Sequence, residues 1–244
     1  MRFALLAIAL TMFGCGSALD LQRSISANRY TLYYLHDSRP VPNKTSVTIY
    51  LDSIYFEDDL EDSVVVCPIR STVLPLLFKN SWKFDYECDL GKNVLLENQG
   101  DFIRKSLSLE AGRSGLFKFV STPDSAQYSI DVTIRDSICC GLYSQHGHLN
   151  FWLIYPFIYG EYHEVERSFP GNAIIFWRYT LKKSNVAIYY GGQAANKEEE
   201  SVRPYPKSIA QLRKDFGNCI VEALSDAYKE CVEKTVATIN SFIK

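Results

Sequence analysis

The sequence predicts an α+β fold, a mixed or antiparallel sheet packed by one short helix and a long C-terminal helix. Three observations carry this. Tyr128-Ser129-Ile130-Asp131-Val132-Thr133-Ile134-Arg135 places its apolar residues at every even position, the period of a half-buried strand. Between Gln99 and Ala111 the period becomes helical, with Phe102, Ile103, Leu107 and Ala111 sharing a face. After Pro204 and Pro206, Ser208-Ile209-Ala210-Gln211 has capping-box form, and Ile209, Leu212, Phe216, Cys219, Ala223, Ala227 and Cys231 continue one stripe suited to covering a sheet. Composition agrees: 244 residues at 47% hydrophobic and 22% charged suit a packed core, and 16 Tyr with 14 Phe favour pleated surfaces.

The chain opens with Arg2 and an apolar run from Phe3 to Phe13. That run is shorter than the roughly 20 residues a permanent helical span requires, so residues 1–14 read as a signal peptide. Residues 15–45 read as a tether, polar at first, with Tyr30–Leu35 as a possible short strand before Pro40 and Pro42. Residues 46–244 read as a single α+β domain.

Within that domain Val47, Ile49 and Leu51 alternate as a first strand. Asp58, Asp59, Glu61 and Asp62 come next as a solvated loop without the spacing of an EF-hand. Val64–Val66, Val73–Phe78 and Trp82–Tyr86 are short strand candidates, the second pushed to an edge by Pro75. Gly112 and Gly115 end the first helix, and Leu116–Val120 is a short strand. Asn150–Tyr159 is nearly all apolar and is broken at Pro156. Ile174–Leu181 and Val186–Tyr190 read as a hairpin around Lys182–Asn185, and Gln193–Glu200 as a loop.

The signal ends in Met12-Phe13-Gly14-Cys15, which resembles the lipobox of bacterial lipoproteins. The resemblance implies that Cys15 is lipidated as the first mature residue. With Gly16 and Ser17 rather than Asp after it, the resemblance also implies an outer-membrane anchor facing the periplasm. The competing expectation is cleavage after Ala18 at Gly16-Ser17-Ala18, giving a soluble periplasmic or secreted protein. From Phe102 to about Lys244 the order of helix, short strand, long strand, apolar crossing, hairpin and C-terminal helix is similar to that of small envelope lipoproteins. These include the architecture of the amino-terminal domain of the Tol system's periplasmic propeller protein, lipoproteins of curli and exopolysaccharide export, and auxiliary lipoproteins of ABC transporters.

Beyond Cys15 there are six cysteines, an even number that an oxidising compartment can pair. Cys67 with Cys88 is one candidate, against a reading of both as small buried residues. Cys219 and Cys231, about 18 Å apart along one helix, cannot bridge.

A net charge of −2 with no basic stripe argues against nucleic acid. Gly112-Arg113-Ser114-Gly115 lacks the spacing of a nucleophile elbow, and phosphate-binding glycine loops are missing. No catalytic residue and no cofactor is expected. His146 and His148, with His163, are weak metal-ligand candidates, because imidazole suits zinc or copper. Phe151, Trp152, Tyr155, Phe157 and Tyr159 are the candidates for contact with a partner or a membrane interface. The expected function is that of a non-enzymatic accessory or partner-binding component of an export, transport or assembly system, held to the membrane by its lipid and engaging a protein in the envelope. The alternatives are a secreted binding module or metal-dependent enzyme using the His146/His148 region, and a soluble exported protein with a disulfide-stabilised sheet.

Overall fold

The computed structural model describes residues 18–34, 47–75, 79–154, 157–199 and 208–243. Their architecture is α+β: seven strands in one mixed sheet, with helices on one face. The strands are β1 (Thr48–Phe56), β2 (Val65–Pro75), β3 (Lys79–Asp89), β4 (Lys118–Val120), β5 (Tyr128–Ile154), β6 (Phe157–Lys183) and β7 (Val186–Glu199). The helices are α1 (residues 18–26), α2 (Gln99–Ser114) and α3 (Ile209–Ile243).

Two 27-residue strands organise the sheet. β5 and β6 pair antiparallel from Ser129↔Lys182 out to Ile154↔Phe157. The other edge of β5 is shared: parallel β1 takes its first third, and antiparallel β3 takes Cys140 to Asn150. The near half of the sheet therefore runs β4-β1-β5-β6-β7, and the distal half β2-β3-β5-β6.

The helix-facing side is the core. Ile130, Val132 and Ile134 are buried at even positions, yet Ser137 and Cys139 are buried at odd ones. The register shift between Ile134 and Asp136 reverses the alternation, so the strand keeps its apolar side toward the helices. A second shift, between Gly141 and Tyr143, takes up Pro170 on β6, where its missing N–H is tolerated. At this level α3 lies close to the sheet. A Cβ on Gly171 would stand 2.6 Å from the Cys219 carbonyl oxygen, so only glycine admits the helix backbone there.

Both expected helices form where their periods place them. Asn98 caps α2 by accepting from Gly100 N at 2.8 Å, and Gly115 closes it in the left-handed region at φ 66°. Ser208 Oγ accepts from Gln211 N at 3.2 Å at the start of α3, whose stripe is buried from Phe216 onward while Ile209 is exposed.

Four expectations are corrected. The segment read as a tether is, over residues 18–34, part of the packed body. Leu21 and Ile25 of α1 are buried, Gln22 Nε2 donates to the Val64 carbonyl at 2.7 Å, and Tyr30 makes only a single bridge, to Leu95. Two apolar residues four apart among polar ones were enough to seat a short helix, because the surrounding core supplies the rest. The short candidates at Val64, Val73 and Trp82 are pieces of one hairpin, β2–β3, with β2 at the sheet edge as Pro75 implied. Gln193–Glu199 is strand rather than loop, since pairing with β6 overrides its polar composition. Cys67 cannot bridge Cys88: Cys67 faces Glu87 and is exposed, whereas Cys88 points into the core, and both are free.

Candidate functional site

The distal half of the sheet is the candidate functional region. α3 rises about 52 Å over its length. From Glu166 to Lys183 β6 covers roughly 55–60 Å, so the helix matches that stretch from end to end. Its N-terminal end is fixed by two contacts, Phe216 against the Tyr143 ring at 5.2 Å and Arg213 against Glu166. Arg213 donates to Glu166 through Nε at 3.1 Å and Nη2 at 2.7 Å, and the Tyr143 hydroxyl donates to the same carboxylate. With Glu166 only 3% exposed, this is a buried charged clamp. Outward from His146 and Val165, about 26 Å of ribbon passes beyond the start of the helix.

The candidates Phe151, Trp152, Phe157 and Tyr159 lie on the paired ends of β5 and β6 at the tip of this ribbon, where their side chains lie outside the described set. Tyr155 lies outside the described residues, as does Cys15. The structure places the three histidine candidates on one sheet face and brings two of them into contact. His148 and His163 are direct cross-strand partners with ring centroids 5.2 Å apart and planes tilted by 60°. His146, two residues along the same face, stands opposite Lys83 on β3 and Val165 on β6. Its partial burial and then the charges of Arg167, Lys83 and His163 hold its imidazole below the ordinary histidine range. Lys83 in turn pairs with Asp85 at 3.2 Å, and Ser144 Oγ donates to Asp85 at 2.7 Å. A groove of about 270 Å³ runs beside these rings, lined in part by Thr72, Leu74, Ser81 and Trp82.

A second group of ligand types was missed from the sequence. Glu87 and Asp89 of β3 and Cys140 of β5 bring one ligand atom each within 4.8 Å of one another on the same sheet face. Burial, then Glu87 and Glu61, push the Asp89 carboxyl up, and burial with Asp89 and Glu87 pushes the Cys140 thiol up. The register Asp89↔Cys140 that assembles this group depends on the length of β5, which no local pattern announces.

The face of the near half turned away from the helices carries exposed Tyr55, Ile138, Phe176 and Tyr190. Among the described residues, no helix is long and apolar enough to cross a membrane.

No family model and no curated protein matches the sequence. Among solved structures, the chain is similar to protein XCC0632 from Xanthomonas campestris, described by the family model DUF330. The two are 10% identical, the match covers 88% of this chain and 97% of that one, and the TM-score is 0.48.

Proposed function

We propose that this chain is a lipid-anchored protein of the bacterial envelope that acts without catalysis, as an accessory component presenting its distal β-ribbon to a partner protein. The observation that supports this best is the ribbon itself. Two strands, β5 and β6, continue about 26 Å past the helical layer and run into the apolar segment Asn150–Tyr159, with β2 and β3 beside them for roughly the first 10–13 Å, an extension that the near-half core does not require. At its side, β2 pairs only with β3 among the described strands, leaving a row of main-chain donors and acceptors of the kind that strand-addition partners use.

Support for the anchor comes from the lipobox-like Gly14-Cys15 and from its distance to the folded body. Ala18 is already buried at the start of α1. Three residues span at most about 10 Å. An acylated Cys15 would thus hold the folded body directly against a leaflet, with no long tether between them. The experiment is site-specific photocrosslinking from Leu149 on the ribbon and from Glu222 on α3, in membranes carrying the wild type or Cys15→Ala. The proposal expects a discrete protein adduct from Leu149 alone, lost when Cys15→Ala releases the protein from the membrane fraction. Adducts of equal yield from both positions, or adducts and fractionation unchanged by Cys15→Ala, would contradict it.

A further inference from the structure

Three of the chain's four histidines share one face of the ribbon, His148 and His163 as a contacting pair and His146 two residues along β5, and the partner-binding proposal makes no use of them. Zn–N bonds of about 2.0–2.1 Å at tetrahedral angles place the ring centres of two ligating imidazoles roughly 5 Å apart. His148 and His163 stand at 5.2 Å. They sit on hydrogen-bonded strands rather than a loop, which holds the pair in register from both sides. Gly147 tightens this further. A Cβ there would stand 2.5 Å from the Trp82 indole and 2.7 Å from the His163 carbonyl oxygen, so the indole packs directly behind the strand that carries His146 and His148.

We infer that His148 and His163, with His146 flanking them, bind one borderline divalent transition-metal ion, of which Zn2+ is the type. Imidazole nitrogen selects such ions over Mg2+ and Ca2+, which take oxygen ligands. The charge balance permits it, because Asp85 offsets Lys83 beside the histidines. Water, or a side chain of a docked protein entering along the groove that His146 and His148 line, would supply the remaining ligands. This site stands on the ribbon's own geometry and holds whether or not Cys15 is lipidated.

The test is titration of the whole chain, purified without a polyhistidine tag, with ZnCl2 by calorimetry and with CoCl2 by absorption spectroscopy. One ion per chain is expected, with a Co2+ spectrum free of a thiolate charge-transfer band and no binding of Mg2+. His148→Ala and His163→Ala should each weaken binding at least tenfold, and His146→Ala by a smaller factor. All three side chains are on the sheet surface, and unchanged circular dichroism would show that each variant is folded. Cys140→Ser should leave the titration unchanged. Absence of saturable binding, survival of binding in a His148→Ala/His163→Ala double variant, or its loss in Cys140→Ser would overturn the inference, the last in favour of the Glu87/Asp89/Cys140 group.

Discussion

Arg213 and Glu166 form the most consequential pair at the scale of single residues, since they join the start of α3 to the root of the ribbon. Arg213 is 15% exposed on its side chain and Glu166 3%, so removing the cation strands a carboxylate that is out of reach of water. Arg213→Met should cost about 3–5 kcal/mol in urea unfolding, while the Arg213→Met/Glu166→Leu double variant should recover most of that loss. A loss below about 1 kcal/mol in the single variant would show the pair to be solvated. The thiols make a second residue-level prediction. Burial raises the Cys88 and Cys139 thiols, and burial with Glu230 pushes Cys231 up to about 12, whereas Cys67 is exposed on the edge strand. Because the thiolate is the reactive form, an aromatic disulfide reagent at about pH 8 should label Cys67 rapidly in the folded protein. Cys88, Cys139 and Cys231 should react only on unfolding, and peptide mapping after a short pulse reads the order directly.

Among the elements, α1 separates a packed domain from a body on a leash. Ile25 is fully buried against the core, and the chain continues from it to Tyr30, whose ring is so close to α3 that a Cβ on Gly217 would stand 2.2 Å from its hydroxyl. Ile25→Ala should destabilise the whole fold by about 2–4 kcal/mol, the ordinary cost of a core truncation. An unchanged unfolding midpoint would return residues 18–34 to the role of tether. The same element shows where sequence patterns stop being informative: one turn-spaced pair, Leu21 and Ile25, is too little periodicity to announce a helix. The first residues of β5 and the stripe of α3 were legible because a single buried face persists over many residues. The middle of β5 was not, because the register shift at Ile134/Asp136 reverses its alternation and His146-Gly147-His148 lies beyond the start of the helix that would impose one. β7 was half legible. Val186–Tyr190 has the strand pattern, while Gln193–Glu199 is polar and becomes strand only through β6. For the histidines a usable signal did exist. His148 and His163 each stand seven residues from the Tyr155-Pro156 break, so reading that dipeptide as a hairpin apex makes them partners.

On the scale of the whole molecule, the sheet divides into a helix-covered half that carries the stability and a distal half that carries surface. The covered half holds most of the large buried side chains, among them Trp177, Tyr179 and Tyr228, while Tyr86 and Tyr143 are buried where the ribbon leaves it, under Phe216. The ribbon instead offers an open strand edge, a histidine face and an apolar end, features suited to contact rather than to folding. In the proposed arrangement Cys15 joins these surfaces to a membrane, only about 10 Å of chain before the first buried residue. The measurement that bears most directly on this arrangement is the intact mass of the mature protein extracted from membranes, beside that of Cys15→Ala. The expected result is a chain beginning at Cys15 with the added mass of a diacylglyceryl or triacyl group, absent in the variant. A chain beginning at Leu19 with no added mass would contradict it, and would also remove Ala18 from the helix that the core buries.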